Sequence, residues 1–131
     1  MRRLLPALLP ALLAAAIATP GAAGQRSDRV PAATPTGEAR SCIPLRSIRE
    51  TRVRSDRVID FVMTGRRTYR VTLPQGCPGL GFERRFGYAT SLSQLCAQDI
   101  ITVLNQTGGL SRGASCGLAP FQPVRIAGKT R

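Results

Sequence analysis

Residues 57–73, R-V-I-D-F-V-M-T-G-R-R-T-Y-R-V-T-L, decide how the chain folds. Ile59, Phe61 and Met63 recur every second position, as do Tyr69, Val71 and Leu73, while Thr68, Arg70 and Thr72 fall on the alternate positions. Period-two alternation of this kind predicts two half-buried strands, and Thr64-Gly65-Arg66 between them supplies turn chemistry. Setting Phe61 opposite Tyr69 and Ile59 opposite Val71 collects the large apolar groups on one face and leaves a short loop at residues 64–66. A slip of one residue would set them against Thr68 and Arg70, which a sheet with one buried side does not tolerate.

The hairpin belongs to a mainly β domain. Upstream, Ile48 to Val53 alternates weakly and predicts a first strand, ended by Ser55-Asp56. Downstream, Pro74 and Gly76 stop the hairpin before Cys77. Phe82 to Thr90 reads as a further strand interrupted by Gly87, and Ser91 to Cys96 as one short helical turn. Asp99 to Asn105 is β-branched enough for a buried fifth strand. Thr107 to Ser115 reads as a glycine-rich loop, and Cys116 to Ile126 as an irregular or edge segment because of Pro120 and Pro123. The expected architecture is a small antiparallel sheet of about five strands in order, or a partly open barrel.

Four cysteines hold it. Cys42, Cys77, Cys96 and Cys116 are 35, 19 and 20 residues apart, without the close C-x-x-C pairs of a thiolate zinc site or a redox motif. In an exported chain they predict two disulfides. An up-and-down meander puts Cys42 and Cys96 at one end and Cys77 and Cys116 at the other. That favours Cys42–Cys96 with Cys77–Cys116.

Export is itself read from residues 1–24. Arg2 and Arg3 precede an apolar run from Leu4 to Ile17, and small residues follow through Gly24. This is the order of a secretory signal peptide, and the run is too short and too proline-interrupted for a membrane span. Residues 25–40 hold Val30 as their only large apolar side chain, with two prolines, and predict a disordered linker. A single domain is then expected over residues 41–131.

The whole chain of 131 residues carries 19 Lys and Arg against 7 Asp and Glu. Without Arg2 and Arg3 the remainder keeps 17 basic side chains and a net charge of +10. Such a charge suits an anionic partner. It also suits a coding bias toward arginine, since Lys129 is the only lysine. Arg66, Arg67, Arg70, Arg84 and Arg85, interleaved with Phe82, Phe86 and Tyr88, form the candidate surface for that partner. The alternative is that these aromatics are core and the arginines merely solvated. Specific nucleic-acid binding is not expected of an exported protein.

Catalysis has little to draw on. The chain has no His, which removes the commonest general base and the Ser-His and Cys-His pairs. A paired-carboxylate mechanism would need Glu50, Asp56, Asp60, Glu83 or Asp99. Asp99 reads as structural, and the glycines at 76, 79 and 81 lack the G-K-S/T of a phosphate loop. No metal or cofactor is expected.

The segments C-I-P-L-R-S-I-R-E-T (42–51), Y-R-V-T-L-P-Q-G-C-P-G-L-G-F-E-R-R-F-G-Y (69–88), S-L-S-Q-L-C-A-Q-D-I-I-T-V-L (91–104) and C-G-L-A-P-F-Q-P-V (116–124) resemble a family of small exported proteobacterial proteins known only as a domain of unknown function. The resemblance implies a Gram-negative periplasmic or secreted setting, and no activity. Two functions are expected from different classes: a non-enzymatic binding protein with a basic face for an anionic envelope partner, or a proteinaceous inhibitor of an exported enzyme.

Overall fold

A computed structural model describes residues 30–128. The predicted leader at 1–24, and the linker as far as residue 29, lie outside the described residues. Ten strands and one short helix follow in the order β1 (Ala33–Pro35), β2 (Cys42–Pro44), β3 (Ile48–Val53), β4 (Val58–Met63), β5 (Thr68–Thr72), α1 (Leu80–Glu83), β6 (Phe86–Tyr88), β7 (Gln94–Cys96), β8 (Ile100–Asn105), β9 (Ser111–Gly117) and β10 (Gln122–Ile126). Every pairing among them is antiparallel. The fold is mainly β and disulfide-stapled, as expected, and its described strands form three sheets without closing into a barrel.

The hairpin is as the alternation predicts. Ile59 stands opposite Val71 and Phe61 opposite Tyr69, with Met63 N–H donating to the Arg67 carbonyl across the turn. These side chains are buried with Val53, and they meet Ile101 and Val103 of β8 in one apolar cluster. Ile43, Leu80, Leu95 and Phe121 complete it. Phe61 packs edge-on to Phe121, with ring centroids 5.5 Å apart. The five-stranded and three-stranded sheets thus share their inner faces.

The order of strands departs from a simple meander. The large sheet runs β1-β10-β5-β4-β3, and only β3, β4 and β5 follow one another as neighbours in sequence. Strand β10 lies between β1 and β5, although Pro123 argued for an edge position. The reason is local. The Pro123 carbonyl accepts from Thr36 N–H, on the side away from β5. A residue's N and C=O point to the same side of an antiparallel strand, so the missing N–H removes no bond to β5.

Three further expectations are corrected. Residues 30–40 are not wholly linker, because Ala33–Pro35 pairs with β10 and Arg40 bridges Phe121. Backbone hydrogen bonds to an open edge order this stretch without large apolar side chains. The helical turn sits at Leu80–Glu83 rather than at 91–96, where Gln94–Cys96 pairs with β2. The glycine-rich stretch becomes β9 from Ser111, paired along β8, so only residues 106–110 form the loop.

Both disulfides are those expected. Cys42 and Cys96 face one another across β2 and β7, and Cys77, after β5, is joined to Cys116 on β9. The pairing holds even though the meander that suggested it holds only in part. No helix among the described residues is long and apolar enough to cross a membrane. Both features are compatible with an exported protein.

Candidate functional site

The arginines singled out from the sequence do not form one surface. Arg66 and Arg67 are exposed at the β4–β5 turn. Arg84 and Arg85 follow α1, which is held against the β3–β4 turn at the other end of β4. Six residues of β4 lie between the two turns, about 20 Å at roughly 3.3 Å per residue. Arg70 belongs to neither group. Its Nε and Nη2 donate to Asp60 at 2.7 and 3.0 Å, and its Nη1 donates to the Pro31 carbonyl at 2.7 Å. Asp60 is fully buried, so Arg70 is spent on structure and is withdrawn from the candidate surface.

The aromatics divide as well. Phe86 packs against the core. Phe82 is 84% exposed, and Tyr88 is 41% exposed. Phe82 lies on a tight turn whose conformation is heavily determined. Gly79 (φ 84°) enters it and Arg84 (φ 56°) leaves it, with Arg84 N–H donating to the Leu80 carbonyl. Leu80 anchors it in the core. Asp56 Oδ1 accepts from Gly81 N–H at 2.7 Å, and the Asp56 carbonyl accepts from Cys77 N–H.

Gly81 makes this docking close. A Cβ there would stand 3.0 Å from Asp56 Oδ1, 3.1 Å from Asp56 N and 3.2 Å from the Ser55 carbonyl carbon. Gly81→Ala is therefore expected to push α1 off the turn and destabilise the fold by about 1–2 kcal/mol, read as a lower thermal midpoint.

On its other side α1 is tied to the β8–β9 loop. Gln106 N–H donates to Glu83 Oε2 at 3.3 Å, and the Gln106 side-chain oxygen, turned toward Arg85, accepts from its Nε at 2.6 Å and its Nη1 at 3.2 Å. The Arg85 carbonyl accepts from Leu104 N–H, and Leu104 faces Arg112 across β8 and β9. Arg85, Leu104 and Arg112 thus stand in one cross-strand row on the outer face of the small sheet. Leu110, 73% exposed, caps the adjacent loop. Below the row, Gly87, Thr102 and Ile100 line a shallow trough of about 590 Å³ that opens to solvent.

This end of the molecule therefore gathers Arg84, Arg85 and Arg112 with two projecting apolar side chains. None of the three arginines is in an ion pair among the described residues. Arg112 and Leu110 were missed in the sequence, because Ser111–Gly117 has no large apolar residue to mark it as a strand. Each of the five carboxylates considered for catalysis has a hydrogen-bond partner of its own. Glu50 pairs with Arg52 and, through that hydrogen bond, raises the Arg52 guanidinium pKa above its ordinary value. Asp60 lies between Arg54 and Arg70, Asp56 accepts from Gly81, and Glu83 from Gln106. Asp99 accepts from Cys96 N–H at 2.7 Å, the structural role expected of it. No group of three or more His, Cys, Asp or Glu side chains among the described residues could hold a metal ion.

No family model, curated protein or solved structure matches the chain.

Proposed function

We propose that the protein is a non-enzymatic binding module of the Gram-negative envelope, periplasmic or secreted. It engages an anionic partner through the end that carries Arg84, Arg85 and Arg112. The leader-like order of residues 1–24 and the two disulfides support the address. The observation that carries the function is the conformation of Arg84. Among the described residues only Arg66 and Arg84 combine a side chain with a positive φ, at 62° and 56°. A left-handed helix C-cap is a glycine position, and a side chain there costs roughly 1–2 kcal/mol. Arg66 shares this conformation, but Arg84 keeps it beside the exposed Phe82 and two more arginines outside any ion pair among the described residues, which supports selection for binding over stability.

The test separates the two. Arg84→Gly should leave the fold intact and raise its stability by up to ~1 kcal/mol in urea unfolding. Capture of anionic partners from envelope extract by the oxidised protein should weaken at the same time, and Arg84→Glu with Arg85→Glu should abolish it. Undiminished capture by the charge-reversed protein would overturn the choice of surface. Exposure of Phe82 on a rigid turn favours a second reading, an inhibitor that offers this side chain to the pocket of an exported enzyme. Capture of one protein that resists high salt would select it, since exposed charge pairs weaken as salt rises.

A further inference from the structure

We infer that the anionic partner is a lipid surface, and that the α1 turn and the β8–β9 loop dip into it with Phe82 and Leu110 as the apolar tips. The inference rests on the binding function just proposed and names its ligand. The other basic end of the molecule supplies the contrast. At the β4–β5 turn Arg66 and Arg67 are exposed, yet among the described residues the exposed large apolar side chains are Phe82, Tyr88, Leu92, Ile100 and Leu110, and none belongs to that turn. Of these two basic ends, it is the α1 end that joins arginines outside any ion pair among the described residues to apolar side chains that stand clear of the fold.

Its shape suits a fluid surface. Phe82 sits on α1 and Leu110 on the β8–β9 loop, and Glu83, Gln106 and Arg85 bridge these two segments. Neither side chain has a place in the core, and 84% and 73% of their surfaces face solvent. A bilayer interface accepts such projections without a complementary pocket, and arginine forks pair with lipid phosphates at the depth the stems reach. Each arginine near an anionic leaflet adds about fivefold to binding, and burial of a phenylalanine about tenfold or more.

The experiment is sedimentation of the mature oxidised protein, recovered from exporting cells, with vesicles. One set is phosphatidylcholine alone, and the other is equal parts phosphatidylcholine and phosphatidylglycerol. Removal of the apolar leader, which would bind lipid by itself, is checked by intact mass. Binding is expected to the phosphatidylglycerol vesicles and not to phosphatidylcholine. Phe82→Ala should lower it about tenfold, Phe82→Ala with Leu110→Ala further, and Arg84→Glu with Arg85→Glu at least tenfold. Arg66→Glu with Arg67→Glu should change it by less than about threefold, because that end faces away.

Unchanged binding by Phe82→Ala/Leu110→Ala, or equal loss from charge reversal at either end, overturns the inference. Failure to bind phosphatidylglycerol vesicles, together with capture of a soluble anion or acidic protein through Arg84 and Arg85, overturns the lipid ligand and leaves the anionic-partner function standing. Failure of both overturns both.

Discussion

Replacing Cys77 and Cys116 together by alanine should lower unfolding stability by about 4 kcal/mol. In the chain-entropy picture a crosslink across 39 residues constrains the unfolded state by that amount. The native side adds to it. Cys77 is 1% exposed and lies within the apolar cluster, so the change also removes packing. The bridge joins the exit of β5 to β9, an edge strand without large apolar residues that pairs with β8 alone among the described strands. Without it, β9 and α1 should lose order first, visible as faster amide exchange over residues 80–85 and 111–117. Arg112 would then no longer be held beside Arg85, and binding should fall with stability. The Cys42–Cys96 bridge closes a longer loop of 54 residues, yet its replacement by two alanines leaves the direct β2–β7 pairing to retain part of the constraint. A domain with the usual 5–15 kcal/mol in hand should not survive loss of both bridges as a cooperative unit. Urea unfolding of the two single-bridge variants and the fully reduced protein reads all three. A reduced protein with an unchanged transition would show that the apolar cluster suffices alone.

What could be read from the sequence follows from where its patterns are strong. Alternation in residues 57–73 specified both faces and a register, because a slip of one residue would have set the apolar groups against Thr68 and Arg70. The cysteine spacing argued against a thiolate zinc site and left a pairing that the fold bears out. Segments without large apolar residues were opaque. Ala33–Pro35 and Ser111–Gly117 are strands by virtue of backbone partners far along the chain, β10 and β8, and nothing in their own composition announces this. Pro123 misled for the opposite reason, since its penalty depends on which side its nitrogen faces. The candidate surface was half legible. Arg84 and Arg85 stand where a basic tip forms, whereas Arg112 reached them only through the pairing of β8 with β9. Arg70 could have been excluded beforehand. The register that sets Phe61 against Tyr69 also sets Asp60 against Arg70, and a carboxylate beneath an arginine on a central strand is an ion pair rather than a ligand site.

That pair carries the second large effect. Asp60→Ala should destabilise the protein by about 3 kcal/mol, in the range for one partner removed from a buried ion pair. Asp60 is fully buried on β4, an inner strand of the large sheet, and its two oxygens accept from Arg54 Nε at 2.8 Å and from Arg70 Nε and Nη2 at 2.7 and 3.0 Å. The Arg54 and Arg70 side chains are 20% and 12% exposed, so each can regain some water when the carboxylate is gone, which keeps the loss below the upper end of that range. Arg70 also donates to the Pro31 carbonyl, and without Asp60 to orient it that contact should loosen. Amide exchange over β1 should rise in the variant while β4 and β5 stay protected. Replacing all three charges, Asp60→Leu with Arg54→Met and Arg70→Met, should recover much of the loss, because most of it is the penalty of two uncompensated cations. If Asp60→Ala instead costs under about 1 kcal/mol, the arginines are solvated well enough to need no counterion, and Arg70 returns to the surface as a possible ligand contact.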